Sequence, residues 1–517
     1  MYSTQSKFGT LRAFFWPIHR FELKKFVPLF VIYALICLNY TILRATKDTL
    51  VITASGSGAE ILPYIKVWVI LPMALLFTFL FTLLANKFSQ EKVFYIMMSV
   101  FIGFFILFST VLYPLRDFLH PHEFADSLEL LLPQGLKGLI SILRNWTFTL
   151  YYVMSEMWST TIMSVLFWGF ANQITSIKDA KRFYGLLGVG ANIATMASGQ
   201  ITIFCAKPYL ISWLPGTDVW GQSLTLITLL VIAVALITVA IFRWYHKNVI
   251  TVDIKLAPPK DEVKVKMGLK KNFTYLAKSK YLICIAIIVI AYNLAINMME
   301  IVWKDQVNLL FPLPTDYLAY MGKVTMFMGA LSTLIGLFIC GNVIQKCGWT
   351  AAAIITPTIL LATGVLFFSS ILLKNQSILS VAAMFSTTPL AMTVFLGSLQ
   401  NCLSRASKFT FFDATKEISF IPLSNECKLK GKAAIDGIGS RLGKSGGSLF
   451  HQSLLLFFGS ISMSTPYVAI FLLLALAAYV VAVRSLGKQF DALAASQETI
   501  KIQEDPAPAL VTQEALV

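Results

Sequence analysis

Of the 517 residues, 57% are hydrophobic and 13% are charged, against about 25% charged in a soluble domain. This excludes an ordinary water-soluble globular chain and leaves a polytopic membrane protein whose first partner is the lipid bilayer. The net charge of +16 collects in short loops, as inserted chains do to fix their orientation, so nucleic acid is not an expected partner.

The chain starts polar and basic and reaches its first long apolar run at Phe26. No cleavable signal and no Ser/Arg-rich transit extension is read there. The first span is the expected insertion signal, with the N-terminus in a cytoplasm. Spans of about 20 apolar residues are predicted at 26–44, 62–85, 93–115, 142–171, 183–205 and 221–243. After a polar link, others follow at 281–303, 318–342, 350–373, 386–412, 436–460 and 466–485.

The expected fold is thus all-α, with twelve transmembrane helices. Its parts are a six-helix bundle at 1–243, a basic cytoplasmic linker at 244–280, a second bundle at 281–485 and a disordered cytoplasmic tail at 486–517. One set of loops is rich in cations: Lys24 and Lys25, Lys87 and Lys92, Lys178, Lys181 and Arg182, Lys346, and many lysines of the linker. The opposite set is poor in them, and the loop after the third span is acidic. Both termini are therefore expected on the cytoplasmic side.

The halves resemble each other at corresponding places. The first span closes with Arg44-Ala-Thr-Lys47-Asp48 and the seventh with Glu300-Ile-Val-Trp-Lys304-Asp305. Gly188-Val-Gly190-Ala-Asn-Ile-Ala194-Thr-Met-Ala-Ser198 recurs, 249 residues on, as Gly437-Ile-Gly439-Ser-Arg-Leu-Gly443-Lys-Ser-Gly-Gly447. Two parallel six-helix repeats with a substrate between them are the major-facilitator-like pattern. The repeat also extends the tenth span past Asn401, which puts Arg405 and Lys408 inside a helix.

Charges within spans are costly and mark function by default. Arg44 and Lys47, three apart, and Arg441 and Lys444, three apart, are candidates; the plainer alternative is snorkelling to headgroups. Glu156 stands alone in the fourth span, and Asn293, Asn297 and Glu300 form one stripe by i, i+4, i+7 spacing. Asn401, Arg405, Lys408 and Phe412 form another. Asp48 neutralises Lys47, and a structural ion pair is the plainer reading of Glu156 and Glu300. The four-residue spacing of Gly439, Gly443 and Gly447 reads as close helix packing. Gly443-Lys444-Ser445 is no P-loop, since Ile438 stands where the first glycine is required and no strand precedes it.

Cations relieved by two lone acids suit a polyanion, because Lys and Arg hold phosphate by charge and forked hydrogen bonds. Tyr151, Tyr152 and Phe412 are weak candidates for stacking a base. The seven cysteines and five histidines show no ligand spacing, so no metal and no cofactor is expected. An enzyme acting on lipid or phosphoryl groups would need a nucleophile or paired carboxylates, and no such constellation is present. A channel is disfavoured by the twofold repeat.

Lys47-Asp-Thr-Leu, Ser155-Glu-Met-Trp158, Glu300-Ile-Val-Trp-Lys304, Asp413-Ala-Thr-Lys-Glu417, Lys430-Gly-Lys-Ala-Ala-Ile-Asp436 and Gly439-Ser-Arg-Leu-Gly-Lys-Ser-Gly-Gly447 resemble the ATP/ADP translocase family of plastids and obligate intracellular bacteria, through nearly the whole chain. The resemblance implies that Lys47, Glu156, Glu300 and Lys444 are the charged transport residues. It further implies antiport of host ATP against ADP and phosphate by alternating access, as in energy parasitism, across a bacterial inner membrane. The same family holds proton-coupled nucleotide importers, which remain the alternative.

Overall fold

The computed structural model describes residues 18–175, 177–206, 218–250, 279–373, 386–423, 432, 435 and 439–504. Among them there are helices and no strands. In lipid each backbone N–H must be satisfied within its own segment, which favours helix wherever the edge of a sheet cannot close.

The helices are α1 (Leu23–Ile52), α2 (Ile61–Lys87), α3 (Gln90–Leu112), α4 (146–174), α5 (Ile177–Cys205) and α6 (Val219–Val249). Then come α7 (Lys280–Leu310), α8 (Pro314–Ile344), α9 (Lys346–Leu372), α10 (389–419), α11 (Ser440–Phe458) and α12 (Ile461–Glu504). Nine described helices are long and apolar enough to cross a bilayer. α4, α10 and α11 fall short of that measure, because their Ser, Thr, Asn and charged residues lower the mean hydropathy. Those three carry much of the polar lining of the central cavity.

Helix ends depart from the sequence-based spans. α1 runs on to Ile52, so Lys47 and Asp48 lie within it and are buried. α10 stays helical through Arg405 and Lys408 to Ser419, as the repeat predicts. The tail expected to be disordered from 486 is helical as far as Glu504. Its Ala, Gln, Lys and Glu residues are good helix formers, and Phe490 stacks on Trp349 with ring centroids 5.3 Å apart. Residues 251–278, most of the expected linker, and 505–517 lie outside the described residues, as do 424–431 and 436–438.

α1 packs against α4, α5 and α6, and α7 against α10, α11 and α12, while α5 lies along α8. The last crossing is close because glycines face backbone: a Cβ on Gly322 would meet Gly199 O at 2.9 Å, and one on Gly329 would meet Asn192 O at 2.9 Å. The glycine spacing in α11 serves the same end. A Cβ on Gly443 would lie 2.7 Å from Ile290 O of α7.

Between α3 and α4, three short helices (Arg116–Leu119, His122–Leu131 and Lys137–Arg144) cover the end of the bundle away from the start of α1, its far end. Here the acidic loop is tied down, with Arg144 bonded to Asp126 at 2.7 Å and to Glu129 at 3.1 Å.

Gly322→Leu should lower the stability of the purified protein by about 1–3 kcal/mol, the cost of overpacking, read as a drop in the thermal midpoint in detergent. Gly188→Ala, which meets open space, should leave that midpoint unchanged or slightly raised. Equal effects from the two would show that α5 and α8 do not pack this way.

Candidate functional site

Helical spacing gathers the site. On α1, Tyr40, Arg44, Lys47 and Asp48 share one face; on α7, Asn293, Asn297, Glu300 and Lys304 do the same. These two stripes meet Glu156 of α4, Lys66 of α2, Arg405 of α10, and Arg441 and Lys444 of α11 around a cavity of about 270 Å³. A larger one, about 820 Å³, adjoins it between α5, α8 and α10, and Tyr40, Arg44 and Arg405 line both.

The acids are fully engaged. Glu300 accepts from Arg44 at 3.1 Å, Lys304 at 2.9 Å and Arg405 at 2.9 Å. Asp48 bonds Lys47 at 3.1 Å and Lys304 at 2.7 Å, and Lys47 also reaches Glu156 at 3.3 Å. The Lys47 ammonium lies 3.6 Å from the centre of the Tyr152 ring, a cation–π contact that further fixes it. Asn401 orients Arg405 by accepting from Nε at 3.0 Å.

Seven cations line the smaller cavity against three carboxylates. Four of the cations are held in these pairs. Among the described residues, Lys66, Arg441 and Lys444 make no ion pair. The Lys66 ammonium donates to Asn297 Oδ1 at 2.5 Å, while Asn297 Nδ2 donates to Lys444 O and to Ser448 Oγ, each at 3.0 Å. Lys66 is half-buried and Arg441 and Lys444 are exposed to the cavity, so their charge is balanced by water here and is available to an anion.

Most sequence-predicted residues converge here: Arg44, Lys47, Asp48, Glu156, Asn293, Asn297, Glu300, Arg405, Arg441 and Lys444 all line the cavity. Asn401 acts one step back, through Arg405. Lys408 does not join them; it pairs with Asp413 at 3.1 Å. Of the three candidate base-stacking rings, only Tyr152 reaches the cavity. Tyr151 is packed against Phe105 and Phe108, because adjacent helix residues point about 100° apart, and Phe412 packs at a tilt against Tyr292, with ring centroids 4.5 Å apart.

Sequence reasoning missed Lys66, Lys304 and Tyr40 as site residues. Lys66 carried the usable signal, a lone cation inside an apolar run. Among the described residues no group of three or more His, Cys, Asp or Glu could hold a metal ion.

The helical bundle, and a cationic cavity lined by α1, α2, α4, α7, α10 and α11, define a membrane transporter of the major-facilitator kind. The fold is shared with a bacterial homologue of the human lysosomal transporter Spinster (TM-score 0.50, 12% identity, 91% of this chain and 98% of that one). It is shared equally with a bacterial homologue of the iron transporter ferroportin (TM-score 0.50, 13% identity, 91% and 100%).

The chain belongs to the TLC ATP/ADP transporter family, whose model matches residues 1–490. It is 47% identical over 516 residues to ADP,ATP carrier protein 1 of Chlamydia pneumoniae, covering 98% of this chain and all of that one. It is 42% identical over 482 residues to the chloroplastic ADP,ATP carrier protein 1 of Arabidopsis thaliana, covering 93% and 76%.

Glu300→Gln leaves Arg44, Lys304 and Arg405 without their shared counter-charge and should destabilise the purified protein by about 3 kcal/mol, as loss of one member of a buried pair does. Glu156→Gln should cost about 1 kcal/mol or less, because its side chain is 35% exposed and Lys47 keeps Asp48. Thermal unfolding in detergent checks the ranking, and the reverse order would contradict the ion-pair geometry.

Proposed function

We propose that the chain is an ATP/ADP antiporter, importing ATP in exchange for ADP and phosphate by alternating access. The observation that carries this is the set of unpaired cations, Lys66, Arg441 and Lys444, facing a cavity whose other cations are clamped by acids. Phosphate groups would bond first to the free cations and then compete with Glu300 and Glu156 for Arg44, Arg405 and Lys47. The close relatives bear the name ADP,ATP carrier, and this supports a nucleotide as the anion. The larger adjoining cavity gives room for the nucleoside.

Residues 1–243 and 281–485 would rock as two bundles about the α5–α8 crossing. The start of α1 and the lysine-rich loops would face the cytoplasm of a bacterium, by the cation bias of those loops. ATP is more negative than ADP by about one charge, and one charge moved through 100 mV is worth about 2.3 kcal/mol. Phosphate leaving with ADP would offset that difference. Proton coupling is the weaker reading, because Asp48, Glu156 and Glu300 are all engaged in ion pairs.

Lys444→Ala and Lys47→Ala should each cut uptake of labelled ATP into ADP-loaded vesicles at least tenfold while the protein remains in the membrane. Dissipating the proton gradient with an ionophore should leave exchange by the unmodified chain intact. Normal uptake by both variants would remove these lysines from the mechanism, and ionophore sensitivity would favour the proton-coupled importer.

A further inference from the structure

The sequence repeat places Lys-Asp twice, at Lys47-Asp48 on α1 and at Lys304-Asp305 on α7. A strict twofold relation would give two crossed pairs between these helices. Among the described residues only one is made: Lys304 bonds Asp48 at 2.7 Å, with 3% and 1% of the two side chains exposed. Lys47 turns instead to Glu156 and the Tyr152 ring.

The crossed pair lies on the far-end side of the cavity. The links that α11 makes at that end, to α2 and to the segment before Lys137, are neutral. Gln452 Nε2 of α11 donates to Pro63 O at the start of α2 at 2.8 Å, Trp68 Nε1 donates to Gln452 Oε1 at 3.2 Å, and Gly135 lies against the backbone of Leu455. Toward the other end, α5, α8 and α10 leave the 820 Å³ cavity, lined from Arg182 to Thr195 of α5.

We propose that the Asp48–Lys304 pair is the latch of the outer gate, and that Lys304 acts in closure rather than as a phosphate ligand. This rests on the exchange reading. With the far end open, water would solvate both groups. With it closed, each must find the other, so the pair favours one conformation over the other and by that difference alone shifts their balance. An ion pair within one helix has no such preference.

The surroundings make the latch separable from folding. Without Lys304, Asp48 keeps Lys47, and Glu300 keeps Arg44 and Arg405. Without the Asp48 charge, Lys47 keeps Glu156 and Lys304 keeps Glu300. Neither single variant strands a buried charge, the situation that most damages folding.

The test combines Lys304→Gln with Thr160→Cys, a cavity position on α4. A membrane-impermeant thiol reagent is applied from the side of the α1–α2 loop, and the rate is compared with that of the same chain lacking Thr160→Cys. Lys304→Gln should raise labelling at least fivefold and lower ATP/ADP exchange at least tenfold, while ATP binding to the solubilised protein changes less than threefold. Lys304→Arg should bring labelling and exchange back toward those of the unmodified chain.

Unchanged labelling overturns the latch, and binding lost in step with exchange makes Lys304 a ligand. If Lys304→Gln does not reach the membrane, Asp48→Asn carries the same measurements. Failure of the unmodified chain to exchange ATP for ADP would instead sink the transport reading, and labelling would still report on the gate.

Discussion

One carboxylate, that of Glu300, meets a guanidinium from α1, another from α10 and an ammonium from its own helix, all within 3.1 Å. Effective desolvation costs several kcal/mol per ion, and attraction offsets this only where partners are close and well aligned. Remove that acid and Arg44, Lys304 and Arg405 lose the counter-charge they share. α10 could not keep Arg405 in its interior at the roughly 2.5–3.5 kcal/mol that a lone charge costs in a membrane helix. The interior arrangement of α1, α7 and α10 therefore depends on Glu300 more than on any apolar contact.

Around this knot the helices are locally irregular. Residues 65–70, 158–167 and 408–412 form wide π-helical turns, which insert a residue and rotate the rest of the helix about its axis. Lys66 lies in the first. The second begins just after Glu156, and Thr160 within it still faces the cavity. The third begins at Lys408, which pairs with Asp413 outside the cavity, one turn beyond the cavity-lining Arg405.

The charged site was legible because lone charges in apolar runs have few explanations. Glu156, Glu300 and Lys444 stand out by cost alone, Arg44 and Lys47 close the first span, and Arg405 enters a helix through the internal repeat. The resemblance to a transporter family gave them a common purpose. What was not legible depends on contacts distant in sequence. Lys66, a lone cation in an apolar run, shows its charge in the sequence but not its partner, Asn297, 231 positions away. Lys304 reads as a helix end until Asp48 is placed opposite. Rings are harder still: Tyr151 and Tyr152 are equivalent in hydropathy, and only the rotation of α4 decides which one meets the cavity. A helix end such as Ile52 depends on tertiary contacts, among them the Asp48–Lys304 pair, that carry α1 beyond its apolar run.

The division of the cations into clamped and free groups has a consequence for how such a carrier couples its two substrates. Arg44, Lys47, Lys304 and Arg405 share the three carboxylates of Asp48, Glu156 and Glu300 while the cavity is empty. Lys66, Arg441 and Lys444 do not, and water reaching the cavity stabilises them only while one end stays open. Closing both ends over an empty chamber would strip that water and bury three unpaired charges at several kcal/mol each. Even 2.7 kcal/mol added to that barrier slows the step about a hundredfold. A bound polyanion removes the penalty by supplying the missing charge. The occluded state is then accessible chiefly when loaded, so each crossing carries an anion and the return crossing needs another.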